Sequence, residues 1–212
     1  AAIPGKSAPS DPSQYTGMEQ ERYAYFGDLH VHTAYSFDGY SFGTLASPYD
    51  AYRFAQGEAI KNPAGYNMQL SQPMDFYAVT DHGMFLGLVQ AAADTSTAFS
   101  KNSYTERYHD LNAPDNLGTG LLSRMSRLLT FSDFIPETIA GLLDGTLDRD
   151  EILSIVRTSW EDTINAADQF YVPGSFTTFA GYEYTTSSLQ MGNLHRNVIF
   201  QGTAKLPREP FS

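Results

Sequence analysis

Apolar and polar positions alternate along the chain in two regimes. Arg22 to His32 (RYAYFGDLHVH) is aromatic and apolar before it turns polar, the pattern of a buried strand. Ser47 to Gly57 predicts a short helix: Ser47 can cap it, Pro48 suits its first position and Gly57 its stop. Asp75 to Asp81 (DFYAVTD) predicts a second strand, and Met84 to Ala93 a helix. From Asp94 to Gly174 the period lengthens. Leu121 to Leu129, Glu137 to Leu143 and Glu151 to Phe170 predict helices. In the last, Ile152, Val156, Trp160, Ile164 and Ala167 form one apolar stripe, and Asp148 stands three residues before Glu151 at capping-box spacing. Strand patterns return at Phe176 to Thr185 and His195 to Phe200.

Strands that end in polar residues and are joined by helices imply an α/β layout with its site at the strands' C-terminal ends. The expected division is a loose arm over residues 1–20, first βα units over 21–93, a helical insertion over 94–174, and further strands over 175–212. No internal repeat is present.

A chain of 212 residues buries roughly 70% of its unfolded surface, enough to fold without a metal or a disulfide. It has no cysteine, which excludes thiolate metal sites and cysteine nucleophiles. Its formal net charge of -11 excludes nucleic acid as the main partner, and no apolar run reaches membrane-spanning length. The Ala-, Pro- and Ser-rich start at Ala1 is what removal of a signal peptide leaves, so a periplasmic or secreted location is expected, with the cytoplasm the alternative.

Four of five histidines lie at or beside predicted strand ends. Asp28, His30 and His32 alternate along one strand and so share a face. Two imidazoles so placed can grip one metal ion, with a carboxylate holding a ring N–H behind them. Two histidines on a solvated strand fit the same pattern. Asp81 and His82 follow an apolar strand; Glu183 interrupts the aromatic run Tyr182–Tyr184; His195 and Arg196 enter the last strand. Each has a bland alternative, a solvated strand end or an edge position. Tyr182 and Tyr184 fit either a pocket wall or the core. Together the four clusters form a mixed imidazole and carboxylate donor set, which favours zinc, manganese or iron over calcium. His109, beside Asp110 in the helical region, reads as a surface residue.

In order and type, Asp28-Leu29-His30-Val31-His32-Thr33, Ser36, Asp38-Gly39, Thr80-Asp81-His82, Glu183 and His195 resemble the polymerase and histidinol phosphatase (PHP) superfamily. The run Phe26 to Gly39, with the later GYEYT and GNLHRN stretches, resembles more closely a bacterial branch known only as a domain of unknown function, family 3604. The resemblance implies the N-terminal portion of a distorted (β/α)7 barrel carrying a helical insertion. It implies two or three divalent ions (zinc, manganese or iron) and hydrolysis of phosphate esters. His30, His32 and Glu183 would hold a first ion, Asp38 and His82 a second, and Glu183 would bridge to a third on His195.

Arg196 is the candidate phosphate contact, or else a salt-bridged surface arginine, and Asp81 the second candidate catalytic residue. The expected partner is a small phosphorylated or otherwise hydrolysable substrate; nothing sets an oligomeric state. The rival expectation is a non-catalytic binding or scaffold module with an incomplete metal site, because the family's downstream ligands have no counterpart before Ser212. For the same reason the barrel is expected to continue beyond Ser212.

Overall fold

The computed structural model describes residues 23–117, 121–188 and 192–211, so the arm expected over residues 1–20 lies outside it. Strands β1 (Gly27–Val31), β4 (Phe76–Val79), β5 (Thr177–Ser188) and β6 (Gly192–Ile199) form one sheet in the order β1-β4-β5-β6. The first three are parallel, and β6 returns antiparallel beside β5. The result is a mixed α/β architecture with a sheet curled into half a barrel. β2 (Ile60–Lys61) and β3 (Asn67–Met68) make a separate small hairpin. At two residues each, they are too short to leave an alternating pattern in the sequence.

β4 is covered on both faces, which is why it reads as a continuous apolar run. Tyr77 and Val79 pack against Tyr52 and Ala55 of α2 (Pro48–Ala55) and Ala166 and Ala167 of α5 (Arg149–Phe170). α2 forms where predicted. Its Ser47 and Asp50 side chains complete a capping box, and Pro48 opens its first turn. Asp148 caps α5 by accepting from the N–H groups of Asp150 and Glu151. Its buried face carries Ile152, Val156, Trp160 and Ala167 as expected, with Thr163 more buried than Ile164.

Four expectations change. β1 is not buried. Gly27 through His30 are exposed, because among the described residues β1 pairs only with β4 and forms an edge of the sheet. The helix expected from Met84 is confined to α3 (Leu88–Ala93). Phe85 and Gly87 take positive φ values of 54° and 75°, and a Cβ on Gly87 would lie 2.0 Å from Ser159 Oγ. The two helices expected over 121–143 are one, α4 (Leu121–Asp144), which runs through Pro136. Finally, α5 is the crossover between parallel β4 and β5 and packs on the sheet itself. The rest of the helical stretch, 3-10 turns at Phe99–Lys101, Ser103–Tyr108 and Pro114–Asn116 followed by α4, lies before it. α4 packs on α1 (Phe37–Ser41).

Candidate metal centre

The inner face of the half-barrel gathers all six predicted donors. β1 and the residue after it supply His30 and His32; α1 supplies Asp38; the extension of β4 supplies His82; β5 supplies Glu183 and β6 His195. β4 and β5 stay in register past Val79. The Glu183 N–H donates to Asp81 O at 2.8 Å, and the Gly83 N–H donates to Glu183 O at 2.9 Å. This pairing sets His82 level with Glu183. In the antiparallel ladder Thr185 faces His195 and Glu183 faces Asn197, so all four share the inner face.

Glu183 is the hub. Its Oε2 lies 2.7 Å from His32 Nε2, 3.3 Å from His30 Nε2 and 3.5 Å from His82 Nδ1, and its Oε1 2.6 Å from His195 Nδ1. On the other side of His32, Nδ1 lies 3.1 Å from both Asp38 oxygens, while Asp38 Oδ2 lies 3.6 Å from His82 Nε2. Three overlapping triads result: His30, His32 and Glu183; His32, Asp38 and His82; His82, Glu183 and His195. Within each, the donor atoms lie within 4.8 Å of one another. The Glu183 side chain is 2% exposed, whereas His30 and His195 are 60% and 44% exposed, so the cluster opens to solvent on the side of those two rings.

The electrostatics follow from burying carboxylates among imidazoles. Burial opposes a charge on His32, but the hydrogen bond and charge of Asp38, with the charges of Asp81 and Glu183, push its pKa up to about 9. Burial likewise opposes ionisation of Asp38 and Glu183. For Asp38 the hydrogen bonds from His32, His82 and Ser36 prevail and hold it far below the carboxylate range. For Glu183 the charge of His82 and the hydrogen bond from His195 lower the pKa. Without metal, the proton held on His32 therefore offsets part of the negative charge of Asp38 and Glu183.

The family model described as "Protein of unknown function (DUF3604)" matches residues 19–212. The chain belongs to that family. A search of curated proteins and a search of solved structures returned no match. The DUF3604 chain thus brings a possible His/Glu metal-binding cluster to a family whose description assigns no activity.

Two predicted catalytic residues stand elsewhere. Arg196 pairs with Tyr184 across the ladder, one position from His195, so strand alternation puts it on the face opposite the donors. It is exposed, and among the described residues it makes no ion pair. Asp81 is buried beneath the site: its two oxygens accept from the Thr33 N–H at 2.5 Å and the Thr33 hydroxyl at 2.6 Å. Burial pushes its pKa up to about 6 against those bonds. It fixes the turn after His32, and its carboxylate belongs to none of the three donor triads. Asp28 does not hold a ring N–H either; its Oδ1 accepts from the His30 main chain at 2.9 Å, where β1 bulges. His109 lies apart from the cluster, with Nε2 2.8 Å from Ser100 O. Tyr182 belongs to the core, edge-on to Trp160.

Four supporting groups gain a role only in the structure, although Ser36 and Gly39 stand in the motif itself. Thr185 Oγ1 lies 2.6 Å from His82 Nδ1, and its position two residues after Glu183 on the same strand was the available signal. Ser36 donates to Asp38 Oδ1 at 2.5 Å, and the Gly39 N–H donates to the same oxygen at 2.6 Å. Phe37 stacks on the His82 ring with centroids 4.6 Å apart, a tertiary contact with no sequence signature.

Proposed function

We propose that this chain is a metal-dependent hydrolase of the PHP kind, acting on phosphate esters with two or three divalent ions of zinc, manganese or iron. The observation that carries the reading is the set of three overlapping triads built from four imidazoles, two carboxylates and no thiolate. The donor chemistry fits such ions: Glu183 is a buried carboxylate with four histidines around it, and a cation beside it would offset the cost of burying its charge. Divalent ions supply Lewis acidity that lowers the pKa of water and neutralises charge on phosphoryl oxygens.

The chain's own residues do the rest. Glu183 and Asp38 provide the negative charge that holds cations in place. Ser36 and the Gly39 N–H orient Asp38. Thr185 meets His82 at Nδ1, which leaves Nε2 as the nitrogen turned toward Asp38. Ligation needs neutral imidazole, so the proton on His32 must leave when an ion binds. The exposed side at His30 and His195 is where a small substrate would enter.

The test is hydrolysis of p-nitrophenyl phosphate by protein stripped with chelator, then supplied with Zn²⁺, Mn²⁺ or Fe²⁺. Turnover that disappears on stripping and returns with one of these ions is the expected result. One observation favours the non-catalytic alternative. Among the described residues no lysine or arginine bonds to any of the six donors, so no guanidinium is at hand to clamp a phosphoryl group. Tight metal binding without hydrolysis of any ester would support a binding module instead.

A further inference from the structure

A cavity of about 680 Å³ lies between the end of α1, the β2–β3 hairpin and the first turns of α4. Its size suits a small organic molecule. Three of its lining residues are cations, Lys61, Arg124 and Arg127, and none is acidic. That is unexpected in a chain with 24 Asp and Glu against 13 Lys and Arg. Two other cavities each include a carboxylate, Glu161 in one and Asp94 in the other.

The three charges are also uncompensated. Among the described residues no carboxylate lies within ion-pair distance of Lys61, Arg124 or Arg127. Arg127 is buried, and among the described residues its guanidinium donates only to neutral acceptors: Nη1 to Ser41 O at 2.9 Å and Asn112 Oδ1 at 2.8 Å, Nη2 to Leu111 O at 2.6 Å and Asn116 O at 3.0 Å. These bonds fix the guanidinium in place but leave its charge without a counter-ion, an unfavourable state in a poorly solvated position. The remaining wall is largely apolar, with Phe42, Leu45 and Ile60 on it.

We propose that this cavity is a binding site for a small amphiphilic anion: an aromatic or aliphatic body against Phe42, Leu45 and Ile60, and a carboxylate, sulfonate or phosphate head between Lys61, Arg124 and Arg127. The site is separate from the metal centre, and the proposal stands whether or not the protein is a hydrolase. Ring contacts nevertheless link the two. Phe42 lies against Phe131 with centroids 5.1 Å apart, Phe131 against Phe37 at 5.9 Å, and Phe37 against His82 at 4.6 Å.

Calorimetric titration of the full chain with naphthalene-1-sulfonate and with uncharged 1-naphthylmethanol tests the assignment. Lys61 and Arg124 are exposed, so the double variant Lys61→Glu/Arg124→Glu is expected to keep the fold, checked by its melting temperature. The sulfonate should bind the unaltered protein more tightly than the alcohol. In the double variant its Kd should rise about tenfold or more, while that of the alcohol stays the same. Ile60→Trp, which fills the cavity, should weaken both probes. A sulfonate Kd unmoved by the charge reversal, or no measurable binding of the sulfonate to the unaltered protein, overturns the proposal.

Discussion

Asn197 Nδ2 donates a 2.7 Å hydrogen bond to Leu29 O, joining the two edge strands of the sheet. β4 and β5 lie between them, so in a flat sheet they would stand about 14 Å apart. The bond exists because the sheet curls, and the same curl brings His30 of β1 to Glu183 of β5. Asn197→Leu is therefore expected to lower stability by about 1 kcal/mol, since Leu29 O keeps its bond from Thr80. It should also weaken metal binding several-fold by freeing β1. Urea unfolding and a metal titration read the two effects; unchanged metal affinity would mean the curl is held without this tie.

His32 belongs to two of the three donor triads. His32→Ala should remove at least one ion per chain by elemental analysis and reduce metal-dependent turnover about 100-fold or more. The apolar clusters around Trp160 and Tyr52 do not include His32, so the far-ultraviolet spectrum should be unchanged. A variant with full activity would show that the cluster is not the catalytic centre.

The folded-state pKa of His32 stands at about 9 against an ordinary 6.5 in the metal-free protein. Its proton thus contributes stability that is fully present below about pH 6.5 and is lost as pH rises through about 9. Chelator-treated protein should melt at lower temperature at pH 9 than at pH 6.5, and His32→Gln should flatten that slope. Metal affinity should run the other way, rising over the same interval as the competing proton leaves. Equal slopes for the variant and the unaltered chain would contradict this assignment.

Asp81→Asn separates positioning from chemistry. An amide can offer one oxygen but not two, so either the Thr33 N–H or its hydroxyl loses its acceptor in a fully buried place. The expected loss is about 2 kcal/mol of stability. Turnover should fall through weaker metal binding and be rescued in part by excess metal. An inactive but fully stable variant with normal metal content would assign Asp81 to the chemistry instead.

Gly87→Ala tests the turn that shortens α3. At φ 75° with Ser159 Oγ in the way, an added methyl group has neither the backbone conformation nor the space it needs. A loss of more than about 1 kcal/mol in urea unfolding is expected.

The sequence by itself determined the local features and named the residues that the structure gathers into one cluster. Ser47, Pro48 and Asp50 dictate the start of α2 because capping is satisfied within one turn of chain. The stripe from Ile152 to Ala167 dictates the buried face of α5 because that face has a fixed period. Five of the six candidate donors were legible from residue type and position at or beside a predicted strand, and Asp38 only from the motif order that resembles the PHP superfamily. What the tertiary structure decided depends on partners distant in the chain. A hydrophobic run cannot show whether a strand lies at an edge or in the middle of a sheet, so β1 reads as buried although among the described residues it has one neighbour only. Arg196 reads as a phosphate contact because a guanidinium fork fits phosphate oxygens, and only its place in β6 directly after His195 sets the two on opposite faces. Asp81 read as chemistry because it precedes His82, and its role emerged only when Thr33, 48 positions away, was seen to fill both of its oxygens. Side chains adjacent in sequence share no face on a strand, while those that meet at the candidate metal centre are brought together by sheet curvature, which no local pattern encodes.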